Sequence, residues 1–141
     1  MVVTLAGCGS SSGGRLSKAQ FAKKADAICT TYRHKVANTF AGTNSANSDE
    51  LAAAIGKAIP LIRRGNDELA ALKPPKELAG TYHRWVAKAR TEESQAADLR
   101  DAVKQQAIAR VRGILVDLRR LEAEQNQVAR RDLGLKSCAQ G

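Results

Sequence analysis

The stretch SKAQFAKKADAICTTYRHKV, residues 17–36, decides the fold class. Ser17 is followed three positions on by Gln20, the reciprocal pair of a helix capping box, and apolar residues begin at once with Phe21. Phe21, Ala25, Ile28, Tyr32 and Val36 then recur every three or four residues, which puts them on one face of an α-helix. The spacing predicts a helix that starts at Ser17, fades near Phe40 and has one stripe to bury.

Three more stripes follow. Helix two is expected to be capped by Ser48, with Asp49 and Glu50 in the first turn, where the helix dipole favours acid. Its stripe is Leu51, Ile55, Ala58 and Ile62, then Leu69 and Leu72. Pro60 falls inside it, at a cost of about 3 kcal/mol in a helix interior. A kink or a split is therefore expected there, with Asn66 as the start of a second piece. Lys73-Pro74-Pro75 ends this segment, and helix three begins just after, since proline is tolerated in a first turn. Its face is Leu78, Tyr82, Trp85, Ala89, Ala96, Leu99 and Val103. Helix four carries Ile108, Val111, Leu115, Leu118, Leu121 and Val128 and stops at Gly134, with Arg130 and Arg131 in its last turn. No glycine or proline separates helices three and four. An unbroken helix of about sixty residues is far longer than globular chains use, so the boundary is placed at Lys104 to Gln106. No stretch alternates as a strand does. The expected fold is all-α, an antiparallel four-helix bundle over residues 17–141, with helix one beside helix four and helix two kinked or split at Pro60.

The chain has 141 residues, one domain's worth, and a formal charge of +9. The excess sits in the end segments: six basic residues against one acidic from Arg15 to Ser48, and seven against four from Ala107 onward. Such a balance favours acidic surroundings, whether nucleic acid, anionic lipid or an acidic envelope polymer. The longest apolar run is far short of the ~20 residues of a membrane helix.

Three cysteines divide by position. Leu5-Ala6-Gly7-Cys8 has the form of a bacterial lipobox, in which small residues let the segment enter a narrow peptidase site and the thiol accepts a diacylglyceryl group. GSSSGG follows as a tether. On this reading residues 1–7 are the remnant of a signal peptide, truncated or with its start placed too late, because the basic n-region and apolar h-region are missing. Residues 8–16 are the tether. Lipidation of Cys8 leaves Cys29 and Cys138 as an even pair, as an oxidising compartment favours. In an antiparallel bundle the end of helix four returns to the start of helix one. Cys29 lies about 18 Å beyond Ser17, and the residues after Leu133 can span that when extended. Two unpaired buried thiols are the alternative.

These features together resemble a group of small secreted or lipid-anchored helical proteins of actinobacteria. The matching residues are Phe21, Ala25, Asp26, Ile28 and Cys29; Leu69, Leu72, Pro74, Pro75 and Tyr82; and Leu133, Gly134, Leu135 and Cys138. The resemblance implies an exported bundle with a disulfide from the first helix to the C-terminus, and it implies no activity. Members often carry a Gly-Asp break before the last helix, where this chain has Lys104-Gln105-Gln106.

Little in the sequence points to chemistry. His34 and His83 sit off their stripes with no cysteine or carboxylate at ligand spacing, so no metal site is expected. Glu92-Glu93 and Asp98/Asp101 alternate with Arg90, Arg100 and Lys104, which reads as a solvated face laced with ion pairs. No nucleophile triad, phosphate loop or cofactor motif is found. Asp26 lies near a seam and needs a partner, either an arginine of helix four or a backbone amide of the C-terminal tail. Tyr32, Tyr82 and Trp85 fall on apolar faces, as core or as the wall of an interhelical pocket. Lys18, Lys23, Lys24, Arg33 and Lys35 of helix one, with Arg119, Arg120, Arg130 and Arg131 of helix four, are the candidate contacts to an anionic surface. The expectation is a non-catalytic, exported helical protein anchored to the membrane through lipid, without cofactor or specific nucleic acid. The alternative is a cytoplasmic basic helical protein that binds nucleic acid through its phosphates.

Overall fold

The computed structural model describes residues 14–140 as four α-helices and a closing 3-10 turn. The helices are α1 (Lys18–Thr39), α2 (Ser48–Ala70), α3 (Ala79–Lys104) and α4 (Ile108–Arg131), and the turn is Ser137–Ala139. The fold is an all-α four-helix bundle with no strand among the described residues. No described helix is long and apolar enough to cross a membrane.

Local chemistry sets the element ends. Ser17 caps α1, and the capping box with Gln20 is complete in both directions. The cap of α2 is Asn47 rather than Ser48: its Oδ1 accepts from the amides of Asp49 and Glu50. Ser48 becomes the first helical residue, and its hydroxyl takes a bond from Gln106 Nε2 at 3.2 Å. α2 runs through Pro60 as one helix, so the split does not occur. Pro60 is solvent-exposed, where water can serve the carbonyl that the imide leaves without a donor.

The turn between α3 and α4 lies where chain length puts it. Gln106 adopts φ +53°, while the amides of Gln106 and Ala107 bond back to Val103 and Ala102 at 3.0 Å each. This is a Schellman closure built without glycine. Holding a side chain there costs about 1–2 kcal/mol. Gln106→Gly is therefore expected to raise the unfolding free energy by roughly 1 kcal/mol, net of the lost bond to Ser48. Urea titration of the variant against wild type checks this. After α4, Gly134 takes the left-handed position at φ +68°, and Leu135 N–H bonds to Ala129 O at 2.8 Å, which turns the tail back over the bundle.

Apolar burial falls into two clusters. The larger one joins Phe21, Ala25, Leu69, Tyr82, Trp85, Val86 and Ala129 to the tail residues Leu133, Leu135 and Ala139. Within it Phe21 meets Tyr82 edge-on with ring centroids 4.9 Å apart, and Tyr82 stacks on Trp85 at 5.8 Å. Tyr82 is fully buried and donates its hydroxyl proton to Leu69 O at 2.7 Å. Burial pushes its phenol well above the usual range. The smaller cluster is Ala52, Ile55, Ile59 and Val103, flanked by Leu99 and Val111.

The expected pairing of helix one with helix four needs correcting. Among the described residues α1 and α4 have no Cα atoms within 8 Å of each other; the 3-10 turn packs against both and bridges them. The stripe of α4 is likewise only partly used, since Ile108 is 72 % exposed and Leu115 37 %. A bundle whose first and last helices stand apart keeps a gap between them, and the tail covers only one end of it.

Candidate functional site

The C-terminal tail is fixed to α1 by three independent devices. Cys29 and Cys138 form a disulfide with Cα atoms 5.1 Å apart. Asp26, half-buried, finds its partners in tail amides rather than an arginine. Its carboxylate accepts from the N–H groups of Lys136 at 3.0 and 3.1 Å, Ser137 at 2.8 Å and Cys138 at 3.1 Å. Convergence of backbone amides on one carboxylate gives charge-assisted bonds, each stronger than a neutral pair. Two arginines complete the clamp. Arg33 of α1 donates to the carbonyls of Ser137 and Gln140 at 2.9 and 3.1 Å, and Arg130 of α4 to that of Ala139 at 3.1 Å.

Beyond the tail the gap between α1 and α4 opens as a cleft of about 470 Å³, within the range of small-molecule sites. Ile28, Tyr32 and Val36 form one wall and α4 the other, with Ile62, Leu69, Trp85 and Ala89 along the floor. Trp85 is held in place by a reciprocal pair: its Nε1 donates to Gln125 O at 3.1 Å, and Gln125 Nε2 donates to Trp85 O at 3.0 Å. Tyr32 bonds through its hydroxyl to Glu68, and that bond raises its pKa. Lys35 lies 4.7 Å over the Tyr32 ring.

Tyr32 rests on Gly65. A Cβ at that position would stand 2.9 Å from Tyr32 Cγ and 3.2 Å from its Cβ, atoms at the base of the ring that cannot swing away. Gly65→Ala is expected to destabilise the fold by about 1–2 kcal/mol, the overpacking cost exceeding the helix propensity gained. Chemical denaturation measures it; a stabilised variant would mean that α1 slides freely on α2.

Four polar residues of the cleft were not singled out as site residues by the sequence reading. Asn66 is buried and donates from Nδ2 to Ala89 O at 3.2 Å. Gln125 is 5 % exposed, and its Oε1 is buried with no partner. Glu92 and Glu122 line the cleft from α3 and α4. Glu92 is half-buried; burial, and then the charge of Glu122, pushes its carboxyl up to about 7. The expected solvated ion-pair face therefore holds for neither residue: Glu93, its side chain 14 % exposed, meets Arg63 of α2 at 2.6 Å, and Glu92, one residue and about 100° of helix away, lines the cleft. The signal for three of these residues is a gap in each stripe. Ile62 to Leu69, Ala89 to Ala96 and Leu121 to Val128 each leave a two-turn interval, and Asn66, Glu92 and Gln125 occupy the missing face positions.

The remaining sequence candidates are dispersed. Cys8 lies outside the described residues. Lys18 approaches Glu77 at 3.5 Å and Arg120 meets Asp117 at 3.0 Å, while Lys23, Lys24, Arg119 and Arg131 are exposed. Arg33 and Arg130 are brought together by the tail that both bind. His34 and His83 are exposed and outside the cleft lining. No group of three or more metal-ligating side chains occurs among the described residues. Comparison with known proteins returns no matching family model, no matching curated protein and no matching solved structure.

Proposed function

We propose that the protein is an exported, lipid-anchored, non-catalytic binding protein of the cell envelope, with the α1–α4 cleft as its ligand site. The observation that carries this reading is the Cys29–Cys138 bond, which closes one end of the cleft. Structural disulfides persist in oxidising, extracytoplasmic compartments and are rare in the cytosol. The LAGC motif and the Gly-Ser tether ahead of the domain supply a means of attachment, with Cys8 as the lipidated residue. The resemblance to secreted and lipid-anchored actinobacterial helical proteins agrees with this. The cleft lining favours binding over chemistry: its two thiols are joined to each other, and neither histidine reaches it. The exposed cations Lys23, Lys24, Arg119 and Arg131 suit contact with anionic envelope polymer or lipid.

Intact mass of the protein from its host's membrane fraction tests the reading, with and without reduction before alkylation. The expected species begins at Cys8, carries added lipid mass and gains alkyl groups on Cys29 and Cys138 only after reduction. A soluble, lipid-free chain that retains residues ahead of Cys8 and alkylates at three thiols without reduction would overturn it.

A further inference from the structure

We infer that the cleft takes an amphiphilic ammonium: a protonated amine carried on an apolar chain or ring. The inference rests on the cleft being a ligand site and names the class of ligand.

The apolar part follows from the walls. Ile28, Val36, Ile62 and Leu69, with the faces of Tyr32 and Trp85, enclose a volume suited to a medium alkyl chain or a small ring system. The head group follows from the two carboxylates of the polar lining, since the one lining cation, Arg33, is engaged with the carbonyls of Ser137 and Gln140. Gln125 Oε1 is buried without a hydrogen bond, and an unmet buried acceptor costs about 1–3 kcal/mol until something donates to it. Glu92 of α3, half-buried, and Glu122 of α4, exposed, both line the cleft, near enough for the charge of one to act on the other. Two carboxylates at one cleft suit N–H donors bearing positive charge, and a small shift of the Gln125 side chain would present its unmet amide oxygen to them. The Trp85 ring adds a second attraction for a cation. A carboxylate-headed lipid would instead bring a third negative charge to the pair.

Glu92 also sets the pH behaviour. Its charged surroundings are Glu122 from α4 and Arg33 from α1, whose guanidinium is committed to the Ser137 and Gln140 carbonyls. On α3 itself, Lys88 is paired with Glu124 and Glu93 with Arg63. The cleft-lining residues of α2 and of the tail carry no charge. Cation binding is therefore expected to draw a proton off Glu92 near neutrality and to weaken as Glu92 protonates at lower pH.

Trp85 is the chain's only tryptophan and lies in the cleft, so its emission reports occupancy. The full-length oxidised protein is titrated with dodecylammonium, dodecanol and dodecanoate, each below its aggregation limit, from about pH 5.5 to about pH 8. Dodecylammonium is expected to bind about tenfold or more tighter than dodecanol at the upper pH, with dodecanoate weakest. That advantage should shrink at the lower pH and in Glu92→Gln and Glu122→Gln, with circular dichroism verifying that both variants are folded. Dodecanol or dodecanoate binding as tightly as the ammonium at the upper pH overturns the inference and leaves the cleft a ligand site of another class. No response of Trp85 to any of the three probes removes the cleft as a ligand site, and the inference with it.

Discussion

Loss of the Cys29–Cys138 bond is expected to lower the unfolding free energy by about 4–5 kcal/mol, the chain-entropy value for a loop of roughly a hundred residues. The bond spans 109 residues, so it restrains nearly the whole described chain when unfolded. Small domains have only about 5–15 kcal/mol in total, so about a quarter or more of the stability is at stake. The native side of the balance changes less. With the bond cut, Leu133, Leu135 and Ala139 still sit in the main core, and Asp26 still holds three tail amides. The tail should therefore stay docked in the folded state while the unfolded ensemble expands. Urea denaturation of the oxidised protein against Cys29→Ser/Cys138→Ser measures the effect, and the transition should become steeper because more surface is exposed on unfolding. A loss under about 1 kcal/mol would show that the bond relieves no chain entropy, because the reduced unfolded chain is already compact.

The second large effect is a pH dependence carried by Glu92. Its folded carboxyl titrates near 7 against an ordinary value of 4.5. Between these values the folded chain holds a proton that the unfolded chain has released. Stability therefore falls as pH rises from about 4.5 to about 7 and then levels, with the full ionisation cost present above that window. A shift of this size corresponds to about 3 kcal/mol, reduced to about 2–3 because the residue is only half-buried. Glu92→Gln removes the ionisation. The variant should match wild type near the lower limit and exceed it by that amount at the upper one. Denaturation midpoints across this range measure the difference, in which the other titrating groups cancel. Parallel curves for the two proteins would mean that Glu92 reaches solvent and ionises at no cost.

Four helices, the capping box at Ser17, the turn at Lys104 to Gln106 and the stop at Gly134 are all legible in the sequence. Each depends on interactions within about one or two helical turns, which residue order specifies directly. Asn47 took the cap from Ser48 by one position because adjacent Asx and Ser residues compete for the same amides. Pro60 left α2 in one piece because residues buried on both sides of it, Ile55, Ala58 and Ile59 before and Gly65, Asn66 and Leu69 after, hold the two halves in line, outweighing the local cost.

The cleft was not legible in the same way. The stripes predict that apolar faces meet, and their gaps hold Asn66, Glu92 and Gln125, but a gap in one stripe does not show whether it opens to solvent or to another gap. Only the tertiary structure brings the three gaps to one place. It does so because the tail, pinned by Asp26 and Cys29, wedges between α1 and α4 at one end and keeps them apart along the rest. The sequence by itself determined which segments are helical, since local periodicity suffices for that, while the Cys29–Cys138 pairing was an expectation that the tertiary structure decided. The distance between the first and last helices, and the cleft it leaves, were decided by contacts more than a hundred residues apart, which depend on how the whole chain packs and not on any one segment.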